Sequence, residues 1–159
     1  MRVARIAVAF LLLGGMVSGC GSGPTLQAAT TELQKDSHRL QSDSLLKKPY
    51  SNLRIVQRPD QDLPCDKGKF QRVLRATADY ERESSDVDSH LDQAERVMES
   101  TLSSFLHYTV TYDLSQLDWK DARLIAGRKD IPGITVNVIV VPESPTWRLV
   151  AKTDCLPRS

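Results

Sequence analysis

Several kinds of residue are scarce in this 159-residue chain, and each scarcity excludes something. There are only 3 His, at positions 38, 90 and 107, and no two stand four apart. A helical histidine pair for a metal is therefore missing, as is HExxH. Glycine amounts to 8 residues, and none of them builds GxGxxG, a P-loop or GxSxG. Neither a nucleotide cradle nor a nucleophile elbow is signalled. Neither sign of charge is in excess, with 21 Lys+Arg against 20 Asp+Glu. A nucleic-acid binder held by counterion release needs a basic surplus, so that class is set aside. One apolar run is long, Ile6 to Leu13, and it falls short of the roughly 20 residues that span a bilayer. What remains is a chain with 40% hydrophobic residues, enough for one core, and a length that suits one domain.

The N-terminus reads as an address. Arg2 and Arg5 precede the apolar run, Gly14 and Gly15 follow it, and Val17-Ser18-Gly19-Cys20 closes the segment. This is the layout of a secretory signal peptide over residues 1–19. Val17-Ser18-Gly19-Cys20 resembles the lipobox of bacterial lipoproteins. The resemblance implies that Cys20 takes a diacylglyceryl thioether and becomes the mature N-terminus. Two acyl chains anchor stably where one binds only marginally. The expected location is the extracytoplasmic face of the cell membrane, with the membrane itself as a partner through Cys20. Removing residues 1–19 takes away two Arg and no acid, leaving 19 Lys+Arg against 20 Asp+Glu.

Of the 3 cysteines, Cys65 and Cys155 are then left as an even pair in an oxidising compartment. They read as one disulfide. A reactive thiol or a metal pair is the alternative, and no CxxC or neighbouring histidine pattern speaks for either.

Residues 20–64 read as a lipidated cysteine and a tether. Gly21-Ser22-Gly23-Pro24 is a flexible spacer. Leu26, Leu33 and Leu40 are seven apart, with Ala29 and Leu45 near the same stripe, which allows a helix over 25–46. Such a helix could pair as a short coiled coil or lie on a surface. The stripe is only three leucines deep and is interrupted by Ser37 and Ser44, so a frayed tether is the favoured expectation. Pro49, Asn52, Pro59, Asp60, Asp62 and Pro64 mark an irregular linker.

The folded domain is expected over 65–159. Lys69 to Tyr80 alternates as a half-buried strand, spoiled at Arg72 and Val73, although Phe70, Val73, Leu74 and Ala78 also fit a helix. Ser85 and Asp88 resemble a helix cap. Val87, Leu91, Ala94, Met98, Leu102 and Phe105 then recur with helical spacing, predicting one amphipathic helix of roughly twenty residues. Strands are expected over 107–112, 119–126, 134–141 and 146–153, with turns at 127–133 and 142–145. Short connections suggest a meander. The fold class is α+β: one antiparallel sheet of about four to five strands, one long amphipathic helix on a face, and one disulfide.

The lipobox, the spacer, Cys65-Asp66-Lys67 before a strand, one long helix, and Thr153-Asp154-Cys155-Leu156 after the last strand together resemble small actinobacterial envelope lipoproteins of the LppA-like type. The resemblance covers nearly the whole mature chain as an arrangement. It implies a secreted, lipid-anchored domain with a Cys65–Cys155 bridge, and it implies no activity.

Candidate sites are few. Asp86, Asp88, His90 and Asp92 could hold a divalent cation loosely, but acids at a helix start are ordinarily solvated and favoured by the dipole. Phe105, Tyr108, Tyr112, Trp119 and Trp147 read first as core. Lys120, Arg123, Arg128, Lys129 and Arg148 could give a basic patch near anionic headgroups, or a merely solvated sheet face. No catalytic residue, metal ligand or cofactor is expected. The first functional expectation is a non-enzymatic envelope accessory or protein-interaction module with an envelope protein partner. The second is a small-ligand or lipid-binding module, with an apolar cavity of at least about 300 Å3 bounded by Leu102, Phe105, Val138 and Trp147.

Overall fold

The computed structural model describes residues 23–81, 86–111 and 121–158, apart from the side chain of Lys47. The expected signal peptide and Cys20, and also Ser85, Tyr112, Trp119 and Lys120, lie outside the described residues.

The fold begins well before Cys65. Thr25 caps helix α1, Leu26–Ser42, its side chain accepting from the Ala28 amide at 3.2 Å. Leu26, Ala29, Leu33 and Leu40 form its buried stripe, and Leu33 and Leu40 belong to the main core. Asp43 caps a short second helix, α2, Ser44–Lys47. This second start resets the helical phase, so Leu46 is buried while Leu45 is exposed. Strand β1, Ser51–Gln57, follows and packs Leu53 and Ile55 against the core.

Residues 26–57, expected as tether and linker, are therefore part of the folded unit. The reason is tertiary: a stripe too shallow to hold a helix alone is enough once a sheet face is there to bury it. The irregular linker is confined to 58–62. After it comes a small hairpin, β2 (Leu63–Asp66) paired with β3 (Lys69–Gln71).

The strand expected over 69–80 exists but is cut at Arg72, where the pattern was spoiled. Strand β4 runs Val73–Asp79. At the break, the Arg72 amide donates to Thr153 Oγ1 at 2.9 Å and its carbonyl accepts from the Thr153 amide at 3.0 Å. The Arg72 guanidinium pairs with Asp62.

Helix α3 covers Val87–Ser100, and a single π-helical turn, Thr101–Phe105, follows. Asp86, rather than Ser85, caps it, accepting from the Ser89 amide at 3.0 Å. The expected twenty-residue helix is thus fourteen residues plus a widened turn. Thr101 sits at the change: its hydroxyl donates back to the Val97 carbonyl at 2.9 Å and shares a hydrogen bond with the Tyr50 hydroxyl. A side chain that bonds back into the helix competes with the regular ladder there.

Strands β5 (Thr109–Thr111), β6 (Arg123–Lys129), β7 (Ile134–Val140) and β8 (Trp147–Thr153) form an antiparallel meander. Strand β4 pairs with β8, and β1 with β4, so the sheet has six strands in the order β1-β4-β8-β7-β6-β5. The expected four to five strands undercount it because β1 lay in the stretch read as linker. The two-stranded hairpin is tied to the segment after β8 by a bridge between Phe70 and Leu156.

Burial alternates along the strands, so one face of the sheet is core and the other is open. Leu74, Ala76, Ala78, Ile125, Val136, Val138, Val140, Trp147 and Leu149 point to the core, where Leu91, Ala94, Met98 and Leu102 of the helical layer meet them. Trp147 is 1% exposed, donates its indole N–H to the Ala94 carbonyl at 3.1 Å, and takes the edge of Tyr50 with ring centroids 4.5 Å apart. Cys65 and Cys155 form a disulfide with Cα atoms 5.9 Å apart, linking the hairpin to the residues after β8.

Candidate functional site

The four residues expected to bound a ligand cavity occupy the core instead. Leu102, Val138 and Trp147 are fully buried within one cluster, and Phe105 packs on its rim. A crevice beside Trp147, lined also by Leu40, Tyr50, Leu53, Met98 and Leu149, has a volume of about 10 Å3, room for one water. Leu102, Phe105 and Val138 do not line it.

The acidic helix start does not gather around a cation. His90 turns inward, 2% exposed, and stacks on Tyr80 with ring centroids 5.6 Å apart. Asp92 and Asp88 turn the other way, to Arg123 Nη2 at 3.0 and 3.8 Å, and Glu95 joins at 3.8 Å. Arg123 thereby ties α3 to β6. Burial, then the neighbouring Glu99 charge, holds the Glu95 carboxyl above the usual glutamate range despite that arginine.

A polar cluster that the sequence did not signal lies under α1. Lys129, on the core face of β6, reaches Asp36 at 2.8 and 2.9 Å and Glu32 at 3.0 Å. The Tyr108 hydroxyl donates to Asp36 Oδ2 at 2.7 Å, and the ammonium lies 4.6 Å from the Tyr108 ring centre. The side chains of Lys129 and Asp36 are 6% and 2% exposed. Burial raises the Asp36 carboxyl above its ordinary value, although Lys129 and Tyr108 both stabilise its charge. Burial also acts upward on Glu32, but Lys129 and Lys35 outweigh it and hold that carboxyl low. Tyr108 is pushed up by burial and by the adjoining carboxylate. Gly127 makes the room: a Cβ there would stand 3.2 Å from the Tyr108 Cβ and 3.1 Å from Val136. The cluster fastens α1 to the sheet, with Lys129 and Asp36 buried and hydrogen-bonded and Glu32 at the solvent edge.

The other face of the sheet carries the exposed positions of its strands. Its positions follow from the register. Arg54 stands opposite Thr77, Thr77 opposite Arg148, and Arg148 opposite Ile139. In the next row Arg75 faces Val150, and Val150 faces Asn137. In the third, Val73 faces Lys152, Lys152 faces Thr135, and Thr135 faces Arg128. Directly opposed side chains lie roughly 5 Å apart and diagonal ones about 7–8 Å. Arg75 is thus diagonal to both Arg148 and Lys152, and Val150 lies at the centre of the group.

All four of Arg54, Arg75, Arg148 and Lys152 are exposed. Among the described residues none of them has a carboxylate within ion-pair distance; Arg75 bonds only the Gln57 amide oxygen, at 3.1 Å. Asp79 is an acid on this face, near Arg54. Asn52 holds it at 3.0 Å and the Thr146 amide at 3.3 Å, which, with the Arg54 charge, keeps its carboxyl below the usual range. Arg128 is already engaged by Asp154 at 2.8 Å and Asp130 at 2.9 Å.

Of the basic residues singled out in the sequence, Lys129 is therefore buried, Arg123 serves α3, and Arg128 is neutralised. Lys120 lies outside the described residues; of the other four, Arg148 alone is presented, together with three cations that the sequence reading passed over. Lys152 shares its parity with Arg148 in the last strand, and Arg75 belongs to the polar half of the 69–80 alternation, so both signals were there. Arg54 was hidden in the supposed linker.

No family model, characterised protein or solved structure matches this chain. Among the described residues no group of His, Cys, Asp and Glu is placed to hold a metal ion, and no helix is long and apolar enough to cross a membrane.

Proposed function

We propose that this chain is a lipoprotein of the small actinobacterial envelope type, anchored through Cys20 at the extracytoplasmic face of a membrane. It works there as a non-enzymatic accessory or interaction module. It acts through its open sheet face rather than through a cleft. The observation that carries the reading is the division of the sheet: one face is closed under two helices with Leu102, Val138 and Trp147 in its packing, while the other presents four cations that no carboxylate among the described residues meets within ion-pair distance. The disulfide agrees with an oxidising compartment. The lipobox-like Val17-Ser18-Gly19-Cys20 supplies the anchor.

The test is labelling in the native host. The wild-type protein is expected to incorporate a labelled fatty acid and to be digested when protease is added to intact cells. Cys20→Ala is expected to lose the label. A wild-type protein that takes up no label, or that survives external protease until the cells are broken, refutes the reading.

A further inference from the structure

We infer that the open face of the sheet lies against anionic phospholipid headgroups of the membrane that holds the anchor. The inference rests on the lipoprotein reading above and says which surface of the domain the membrane meets. Its first ground is charge. Arg54, Arg75, Arg148 and Lys152 project from three neighbouring strands, β1, β4 and β8, around the short side chain of Val150. Among the described residues no carboxylate competes for them within ion-pair distance. A flat array of phosphates can therefore approach all four together. A second copy that turned the same face to this surface would set cations against cations.

The second ground is reach. The folded unit starts at Thr25, the cap of α1, five residues after Cys20. Five residues extend at most about 18 Å, and a helix with its side chains is roughly 10–12 Å thick. The spacer is thus long enough for the open face to turn to the bilayer and too short for the domain to leave it. The amide of Leu26 donates to the Pro157 carbonyl at 3.2 Å, so the chain enters at the end of β8 that carries Lys152. A surface held this close meets headgroups at high effective concentration, whereas an acidic protein must first arrive. Each cation near an anionic leaflet improves association by about five-fold at moderate ionic strength.

The experiment uses the lipidated protein purified from its own membranes. It is reconstituted into vesicles of phosphatidylcholine alone and of phosphatidylcholine mixed with phosphatidylglycerol. Arginines are modified with phenylglyoxal and the rates read by peptide mass spectrometry. On the anionic vesicles Arg54, Arg75 and Arg148 are expected to react at least about five-fold more slowly, while the exposed Arg96 of α3 keeps its rate. About 1 M salt should abolish the difference.

Equal rates on both vesicles overturn the inference, as does slowing that includes Arg96 to the same extent. Protection found in native membranes but not on phosphatidylglycerol overturns it in favour of an acidic protein. The intact mass of the starting protein keeps the two readings apart. A chain without diacylglyceryl on Cys20 sinks the anchor and the inference together, whereas a lipidated chain with unprotected arginines sinks only the inference.

Discussion

Replacing Lys129 by Met removes the one ammonium that faces both Asp36 and Glu32 under α1. The methionine fills the same volume, so packing is nearly preserved and the loss is electrostatic. Asp36, 2% exposed, is left with the Tyr108 hydroxyl as its partner. Breaking a buried pair by removing one member typically costs about 3–5 kcal/mol. That is roughly 150- to 5,000-fold in the folding constant, a large share of a domain's usual total of about 5–15 kcal/mol.

Burial already raises the Asp36 carboxyl, and the variant raises it further. A folded-state pKa above the unfolded value means that the folded protein binds more protons in the interval between the two. Stability therefore falls as pH rises through that window, and the penalty is full above the raised pKa. The loss in Lys129→Met is expected to be greatest near neutral pH and to shrink as the pH is lowered and Asp36 takes a proton. The double variant Lys129→Met, Asp36→Leu should regain most of the loss, because an apolar replacement of a whole buried pair is often neutral. Urea titrations of the four proteins at two pH values give the cycle. A loss below about 1 kcal/mol in Lys129→Met, or a loss independent of pH, would show that the ammonium is solvated and that α1 is not fastened to the sheet.

Leu33→Ala in α1 should destabilise by about 2–5 kcal/mol, since Leu33 is 0% exposed; a change of a few tenths in urea unfolding would return α1 to the status of a tether. Reducing Cys65–Cys155, whose positions are 90 residues apart, should lower stability by about 4–5 kcal/mol in the chain-entropy model, read as a fall in thermal midpoint with reductant. Gly133 has φ of +89°, and a Cβ there would stand 2.5 Å from Asp154 Oδ2. Gly133→Ala is expected to cost about 1–3 kcal/mol, and an unchanged midpoint would refute the strained turn. Asp79 has a folded-state pKa below its ordinary value, so its contribution to stability is present above the unfolded pKa and is lost as pH falls through the folded one. Asn52→Gly, which keeps the left-handed backbone of that residue, should move the Asp79 carboxyl back toward its ordinary value in an NMR titration.

Where one face of an element is buried and the other wet, the sequence shows it. Ile134, Val136, Val138 and Val140 alternate with polar or exposed positions, and β7 was legible almost to its ends. The same holds for β8 and for the helical stripe from Val87 to Met98. What was not legible depends on partners far along the chain. The stripe of α1 is too sparse to specify a helix by itself, and it exists because β8 and the residues after it offer a surface. Strand β1 contains exposed Arg54 and Val56 and lies between prolines, so its local pattern reads as linker until β4 pairs with it. Lys129 reads as one more surface cation. Only the fold brings it to carboxylates 93 and 97 positions away. The π turn likewise depends on Tyr50 meeting Thr101 across 51 positions.

The two structural surprises bear on the same functional point. Because α1 and β1 belong to the fold, the folded unit is entered at Thr25, five positions after Cys20, rather than more than forty. With the proposed anchor on Cys20, a domain this close would stand on the membrane rather than range above it, and the face it presents would matter more than its reach.

The anchor on which this picture rests is tested most directly by the intact mass of the protein released from its own membranes in mild detergent. The account predicts the 140 residues from Cys20 onward, carrying diacylglyceryl and two hydrogens lighter than the reduced chain. A chain that keeps residues 1–19, or that begins elsewhere and carries no lipid, would contradict it.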